Sequence, residues 1–311
     1  MAVSVGAPAV YLLVSALLIG YKQDQLVLAT LFFVLYAASA PTRKFILGFS
    51  IFIVFWVLFD YMKAFPNYTF NVVHIRSLYE TERSIFGIAE GGLVLTPNEF
   101  WESHSHVIAD VLSGIFYLCW VPVPLGFATF LFFKDRQRFL EFSLTFLFTN
   151  LVGFVIYYLY PAAPPWYVKM HGFDVVTSTA GNAAGLVRFD DFFGVNIFRA
   201  MYTKSSNVFA AMPSLHSAYP LIVVYFSWKS GTVHDPQSTV HSKYSFGWLK
   251  WVFCVIAAGI WFAAVYTGHH YVLDVLAGIA TAGAGIALFR WMQLRSAVFK
   301  RFLHGYAGQI S

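Results

Sequence analysis

Charge is what this chain has least of. Only 11% of its 311 residues are Asp, Glu, Lys or Arg, against about 25% in a soluble domain. With 59% hydrophobic residues, an ordinary water-soluble enzyme is excluded, because one core does not need this much apolar surface and a bilayer does. Cysteine is almost missing. Cys119 and Cys254 fall inside apolar runs and read as small buried hydrophobes rather than a disulfide pair. The apolar stretch 1–21 has no basic segment ahead of it, so it reads as a first membrane span and not a cleaved leader. Soluble domains, internal repeats and low-complexity tracts are also lacking. The net charge of +5 does not argue for nucleic acid, since the basic residues are scattered at the ends of apolar runs.

What is there is a series of apolar runs. They predict an all-α polytopic membrane protein with about eight spans, near 3–21, 25–41, 45–64, 107–133, 138–160, 207–228, 247–267 and 270–293. The second is short and ends at Pro41. Pro122 and Pro124 predict a kink in the fourth, and Phe133–Arg138 reads as a tight basic turn. The expected division is two accessory N-terminal helices (1–44), a six-helix membrane domain (45–293) and a tail (294–311) in which basic and apolar residues alternate as in a surface helix. Eight spans put both termini on one side. That side collects twelve of the twenty basic residues and only three acids, so the positive-inside rule makes the termini cytoplasmic. The long connections 65–106 and 161–206 then face the periplasm, a lumen or the cell exterior.

This topology gathers the chemistry on that non-cytoplasmic face. Tyr266–Asp274 reads Y-T-G-H-H-Y-V-L-D. His270 and Asp274 are four apart, one helical turn, so the carboxylate can hold the imidazole in one tautomer. An ionisable pair between two apolar runs is a functional site by default. The sixth span opens with M-P-S-L-H-S, bringing in His216 through an independent segment. His270, oriented by Asp274, suits a nucleophile toward phosphorus, and His216 suits a general acid and base. The helix start at Ser214 and Leu215 offers main-chain N–H groups to a phosphate, with the Ser214 hydroxyl either a phosphate ligand or a plain N-cap. His269 points to another face and reads as a substrate or structural contact.

A second group, Glu102, His104, His106 and Asp110, leads into the fourth span. It reads as a metal site, as a polyol-binding cluster centred on Asp110, or as an acid-capped helix start at the headgroup layer. No metal is expected. Trp101, Trp166 and Tyr167 fit an interfacial aromatic belt, and Trp166 also suits a wall of the site. Gly278, Gly283 and Gly285 fit close helix packing in the last span.

P-S-L-H at 213–216 and H-x-x-x-D at 270–274 resemble the second and third signatures of the type 2 phosphatidic acid phosphatase superfamily. Within it the chain is most similar to the inositol phosphorylceramide synthase branch, the aureobasidin A target of fungi. The similarity runs through S-L-Y-E-T-E-R-S-I-F-G-I (77–88), T-P-N-E-F (96–100), F-Y-L-C-W-V-P-V-P (116–124), Y-P-A-A-P-P-W-Y (160–167), G-L-V-R-F-D (185–190) and N-V-F-A-A-M-P-S-L-H-S (207–217) to T-G-H-H-Y-V-L-D (267–274). The resemblance implies a six-helix core and a phosphohistidine mechanism, with His270 the nucleophile, Asp274 its partner and His216 the acid/base. It implies phosphatidylinositol as donor and ceramide as acceptor, with no cofactor and no obligatory protein partner. A lipid phosphate phosphatase is the alternative activity, and a transporter or scaffold the alternative class.

The departures from the superfamily pattern are informative. Its phosphatases carry Lys and Arg in the first signature and Ser-Arg ahead of the third histidine. Here those places hold A-P-P-W at 163–166, including Pro165 and Trp166, and Ala263–Ala264. A phosphomonoester dianion needs that positive charge more than a diester monoanion does, so the loss fits transfer from a diester. Arg188, in its matching block, is the expected replacement cation. Lys204 stands level between function and a solvated charge, and Lys169 and Arg199 read as loop charges.

Overall fold

The computed structural model of the chain describes residues 2–203, 207–229, 231–233 and 242–311. Lys204 lies outside the described residues. In chain order the helices are α1 (Ala2–Ile19), α2 (Gln23–Ala38), α3 (Ala40–Tyr61), α4 (Arg76–Phe86), α5 (Pro97–Ser103), α6 (Val107–Leu118), α7 (Pro122–Lys134), α8 (Arg136–Leu159) and α9 (Pro165–His171). Then come α10 (Val187–Phe193), α11 (Ile197–Tyr202), α12 (Leu215–Trp228), α13 (Leu249–Tyr266), α14 (Val272–Arg295) and α15 (Ala297–Ile310). Two small antiparallel hairpins, β1 (Ile88–Glu90) with β2 (Leu93–Leu95) and β3 (Gly231–Val233) with β4 (Ser242–Tyr244), complete the described residues.

The bundle is built on α8, against which α3, α7, α12, α14 and α15 pack; α13 bridges α12 and α6. α1 and α2 stack on each other and on α3. Phenylalanine fills the centre. Phe132 meets Phe139 edge-on at 5.1 Å and Phe142 meets Phe226 at 5.5 Å, the geometry in which a ring's positive edge meets a negative face. Among the described residues five helices are long and apolar enough to cross a membrane: Ala40–Ala64, Val107–Lys134, Arg136–Leu159, Leu249–Tyr266 and Val272–Arg295. The apolar stretches Gly6–Ile19 of α1 and Gln23–Ala38 of α2 are shorter. The all-α, polytopic expectation therefore holds, while length and composition support five spans of the eight.

The differences from expectation have local causes. The fourth span breaks at Cys119–Val121, where Pro122 and Pro124 start α7, as the prolines predict. Pro41 does not end α2. It occupies the first turn of α3, after the N-cap Ser39, where a missing N–H costs nothing. The sixth helix starts at Leu215 rather than near 207. Ahead of it the chain turns and bends without forming helix, and Pro213 disfavours helix in the residue before it. Ala162 bridges this stretch at Ala210 and, on its other side, His74. Three remote segments are thereby joined at one end of the bundle. The tail forms α15, whose Phe299, Leu303 and Ile310 are buried against the bundle and whose Tyr306 hydroxyl donates to the Leu47 carbonyl at 2.7 Å.

Two glycines set the spacing of α14. A Cβ on Gly278 would sit 2.1 Å from the Ser214 carbonyl oxygen, and one on Gly285 would sit 2.1 Å from Thr149 Oγ1. A Cβ on Gly283 meets nothing within 4 Å. Gly278→Ala is therefore expected to destabilise the bundle by about 1–3 kcal/mol through overpacking. Gly283→Ala should be neutral or slightly stabilising. Melting temperatures of the two variants in detergent check the contrast.

Candidate active site

The site is assembled where α13 ends and α14 begins. Gly268 takes a left-handed conformation (φ 73°) that a Cβ would disfavour. That turn lets the Ala264 carbonyl accept from both His269 and His270 N–H, at 3.1 and 2.9 Å. Asn98 ties the turn to α5: its Nδ2 donates to the carbonyls of Val265 and His270 at 2.8 and 2.9 Å. The first N–H groups of α14 have no partner within their own helix. The carboxylate of Glu82, from α4, accepts those of Val272 and Leu273 at 2.9 and 3.1 Å. Burial pushes the Glu82 carboxyl above its ordinary range, and these two N–H groups pull it back.

Asp274 is fully buried. Its Oδ2 accepts the Tyr271 N–H at 2.9 Å and lies 3.5 Å from His270 Nδ1. On the other side of the ring, His270 Nε2 is 3.2 Å from His216 Nδ1. His216 is the second residue of α12, and the Ser214 N–H bonded to the Asp274 carbonyl at 2.9 Å locks the two helix starts together. The three residues expected to meet therefore do meet, in the order Asp274, His270, His216.

The other expected residues are placed as follows. Ser214 is buried without a side-chain N-cap bond; its hydroxyl accepts from Ser217 Oγ at 3.1 Å. Its N–H is taken by Asp274, while Leu215 opens α12. His269 turns away from His270, as expected: its Nε2 lies 2.9 Å from the Ala183 carbonyl, and its ring stacks between Tyr202 and Tyr117. Arg188 and Asp110 form one cluster. Arg188 Nε donates to Asp110 Oδ1 at 2.5 Å, the Tyr266 hydroxyl donates to the same oxygen at 2.8 Å, and the guanidinium lies over the Tyr266 ring. Pro165, Trp166 and Arg188 line a cavity of about 560 Å³ that also reaches Thr267, Gly268 and Tyr271, beside the turn that carries His269 and His270. Lys169 pairs with Glu102, and Arg199 with Asp191. The 102–110 group disperses: His104 pairs with Glu90, and the His106 ring caps the Ile108 N–H. Among the described residues no cluster of three or more ligands is arranged to hold a metal ion.

Sequence reasoning did not single out Tyr117, Trp120, Asn98 or Glu82. The Tyr117 hydroxyl is 3.2 Å from His216 Nδ1 and accepts from Tyr202 at 3.1 Å, while Trp120 meets the His216 ring edge-on. A hydroxyl and an indole lie three residues apart in an otherwise apolar run, the first at the end of α6 and the second in the break before α7. That was the available signal. Asn98 and Glu82 gave no periodic signal, because their partners are main-chain atoms about 170 and 190 residues away.

The fold and site define a polytopic helical membrane protein with a buried, carboxylate-oriented histidine pair at one end. A family model described as the PAP2 superfamily matches residues 77–288. The chain belongs to that superfamily. It is 42% identical over 303 residues to the phosphoinositol dihydroceramide synthase of Bacteroides thetaiotaomicron, covering 96% of this chain and 94% of that one. It is 29% identical over 190 residues to an inositol phosphorylceramide synthase of Candida albicans, covering 58% of this chain and 37% of that one. It is 27% identical over 254 residues to the catalytic subunit of inositol phosphorylceramide synthase of Schizosaccharomyces pombe, covering 79% and 54%. No solved structure is significantly similar to it.

Removing the Glu82 cap leaves two buried main-chain donors without a partner. Glu82→Ala is expected to cost about 2–3 kcal/mol, while Glu82→Gln keeps one acceptor oxygen and costs about 1 kcal/mol. Thermal melts of both variants check the ranking.

Proposed function

We propose that this protein is a sphingolipid synthase that moves phosphoinositol from phosphatidylinositol to the primary hydroxyl of dihydroceramide or ceramide, releasing diacylglycerol. The observation that carries the chemistry is the pair of contacts on one ring: Asp274 Oδ2 at 3.5 Å from His270 Nδ1 and His216 Nδ1 at 3.2 Å from His270 Nε2. A carboxylate at Nδ1 favours the proton there and leaves Nε2 as a lone pair. His270 Nε2 attacks phosphorus, the bond from phosphorus to the diacylglycerol oxygen breaks, and His216 donates its proton to that oxygen. A phosphoinositol–His270 intermediate remains. His216 then accepts the proton of the acceptor hydroxyl, whose oxygen attacks phosphorus as the N–P bond breaks. The phosphoinositol group and the dihydroceramide acceptor are suggested by the name of the Bacteroides thetaiotaomicron relative; phosphatidylinositol as its donor is implied by the resemblance to the inositol phosphorylceramide synthase branch.

Two features favour a diester substrate over a monoester. Ala263 and Ala264 are fully buried, and their carbonyls hold Thr267, His269 and His270 N–H groups, so the face where phosphatases carry Ser-Arg is packed shut. Arg188 is then the cation offered to the single phosphoryl charge, held in place through Nε by Asp110. His270→Ala is expected to abolish both transfer and the covalent intermediate, and Asp274→Asn to lower kcat by about 10²–10⁴-fold. His216→Gln should be rescued in its first step by a phosphoinositol ester with a phenolic leaving group, which departs without a proton. Labelled phosphatidylinositol with and without dihydroceramide is the assay. Release of inorganic phosphate from phosphatidate, with no acceptor-dependent transfer, would sink the synthase reading.

We further infer that the termini are cytoplasmic and the site lies on the opposite face, from the bias of Lys and Arg to one side. A reporter fluorescent only in the cytoplasm, fused after Ser311, is expected to light up. A dark but intact fusion would reverse the orientation.

A further inference from the structure

The cavity beside the catalytic turn contains a specific anomaly. Three residues that line it each carry a buried polar side-chain atom with no hydrogen-bond partner among the described residues: Asn98 Oδ1, the Tyr271 hydroxyl and Arg188 Nη2. Asn98 and Tyr271 are 6% and 1% exposed. Leaving a buried polar group without a partner costs about 1–3 kcal/mol, so such atoms are rarely left idle except for a ligand or ordered water. One is an acceptor, one a donor, and one can be either. All three belong to residues already fixed by other bonds. Asn98 is held through its Nδ2 on the His270 carbonyl, Arg188 through its Nε on Asp110, and Tyr271 through its main chain on Asp274. The free atoms are therefore pre-oriented.

The charges around the cavity narrow the ligand class. Each carboxylate near it is already engaged: Glu102 by Lys169, Glu99 by Tyr79 and Thr96, and Asp110 by Arg188 and Tyr266. Among the described residues lining the cavity, no carboxylate is left over for a cationic headgroup such as choline or ethanolamine. A neutral polyol matches the mixed donor and acceptor set, because each ring hydroxyl both donates and accepts. The position also fits. Gly185 N–H bonds to the Thr267 carbonyl at 2.8 Å, and a Cβ on Gly185 would sit 2.8 Å from the Arg188 guanidinium. Gly185 thus brings Arg188 against the turn that carries His270.

We propose that this cavity is the headgroup subsite of the donor lipid and takes a cyclic polyol phosphate. Arg188 Nη2 meets a phosphate oxygen, and Asn98 Oδ1 with the Tyr271 hydroxyl meets ring hydroxyls. Trp166 supplies an apolar wall. This rests on the synthase reading above and adds the residues that choose the headgroup.

The test uses the full-length protein in detergent–lipid micelles. Acceptor-dependent phosphoinositol transfer by the unaltered enzyme is measured first, and its absence overturns the synthase reading itself. Given transfer, phosphatidylinositol is compared with phosphatidylethanolamine and phosphatidylcholine as donors. The polyol lipid is expected to be preferred by at least about 100-fold in kcat/KM, since a site built to bond hydroxyls rejects analogues without them. Free inositol 1-phosphate should compete with phosphatidylinositol. Tyr271→Phe, which removes only the hydroxyl, should raise KM for phosphatidylinositol about tenfold with kcat little changed, and weaken inositol 1-phosphate inhibition alike. Equal use of the cationic donors overturns the proposal, as does no competition by inositol 1-phosphate. A Tyr271→Phe enzyme that loses kcat at unchanged KM also overturns it, because that is the mark of a positioning role. If Tyr271→Phe does not fold, the donor comparison and the competition with the unaltered enzyme decide alone.

Discussion

A fully buried carboxylate at the head of an apolar helix governs the catalytic end of this protein. Asp274 has little solvent to share its charge with, so the chain must supply donors. The Tyr271 N–H donates to one oxygen and the His270 ring lies 3.5 Å from the same oxygen, while the other oxygen has no partner among the described residues. The main chain of Asp274 holds the start of α12 through Ser214 N–H. Glu82 completes the arrangement by satisfying the next two amides of α14 from a helix about 190 residues earlier.

The bundle around this point combines two kinds of packing. On the α8 side, interlocked phenylalanines fill space where no polar partner is needed. On the α14 side, glycines let backbones touch, and the Ser214 carbonyl sits where a Gly278 Cβ would be. That close contact lies beside the point where His216 Nδ1 and His270 Nε2 approach to 3.2 Å.

Membership of the PAP2 superfamily accounts for the histidine pair but not for the surroundings. Where a Ser-Arg would be expected, two alanines are buried and their carbonyls support the catalytic turn. Cationic side chains near the cavity are held by carboxylates, Lys169 by Glu102 and Arg188 by Asp110. Such a site is poor in net positive charge and rich in fixed hydrogen-bonding groups. That balance suits a singly charged diester carrying a polyol better than a doubly charged monoester.

The sequence by itself determined the helical membrane class, the broken fourth span and His216, His270 and Asp274 as candidates that would meet. Apolar run length, proline chemistry and i,i+4 spacing are local properties that need no knowledge of neighbours. It did not determine the length of the sixth helix, because the 207–214 stretch ahead of Leu215 is non-helical and is tied at Ala210 to Ala162 of a remote segment. Nor did it reveal Tyr117, Asn98 and Glu82, whose partners are a histidine ring and main-chain atoms brought close only by folding. The Arg188–Asp110 contact belongs to the same category. Both residues were candidates from sequence, but their shared oxygen with Tyr266 joins positions 78 and 156 residues apart. Tertiary structure decided these because a hydrogen bond between remote segments leaves no periodic trace in the sequence.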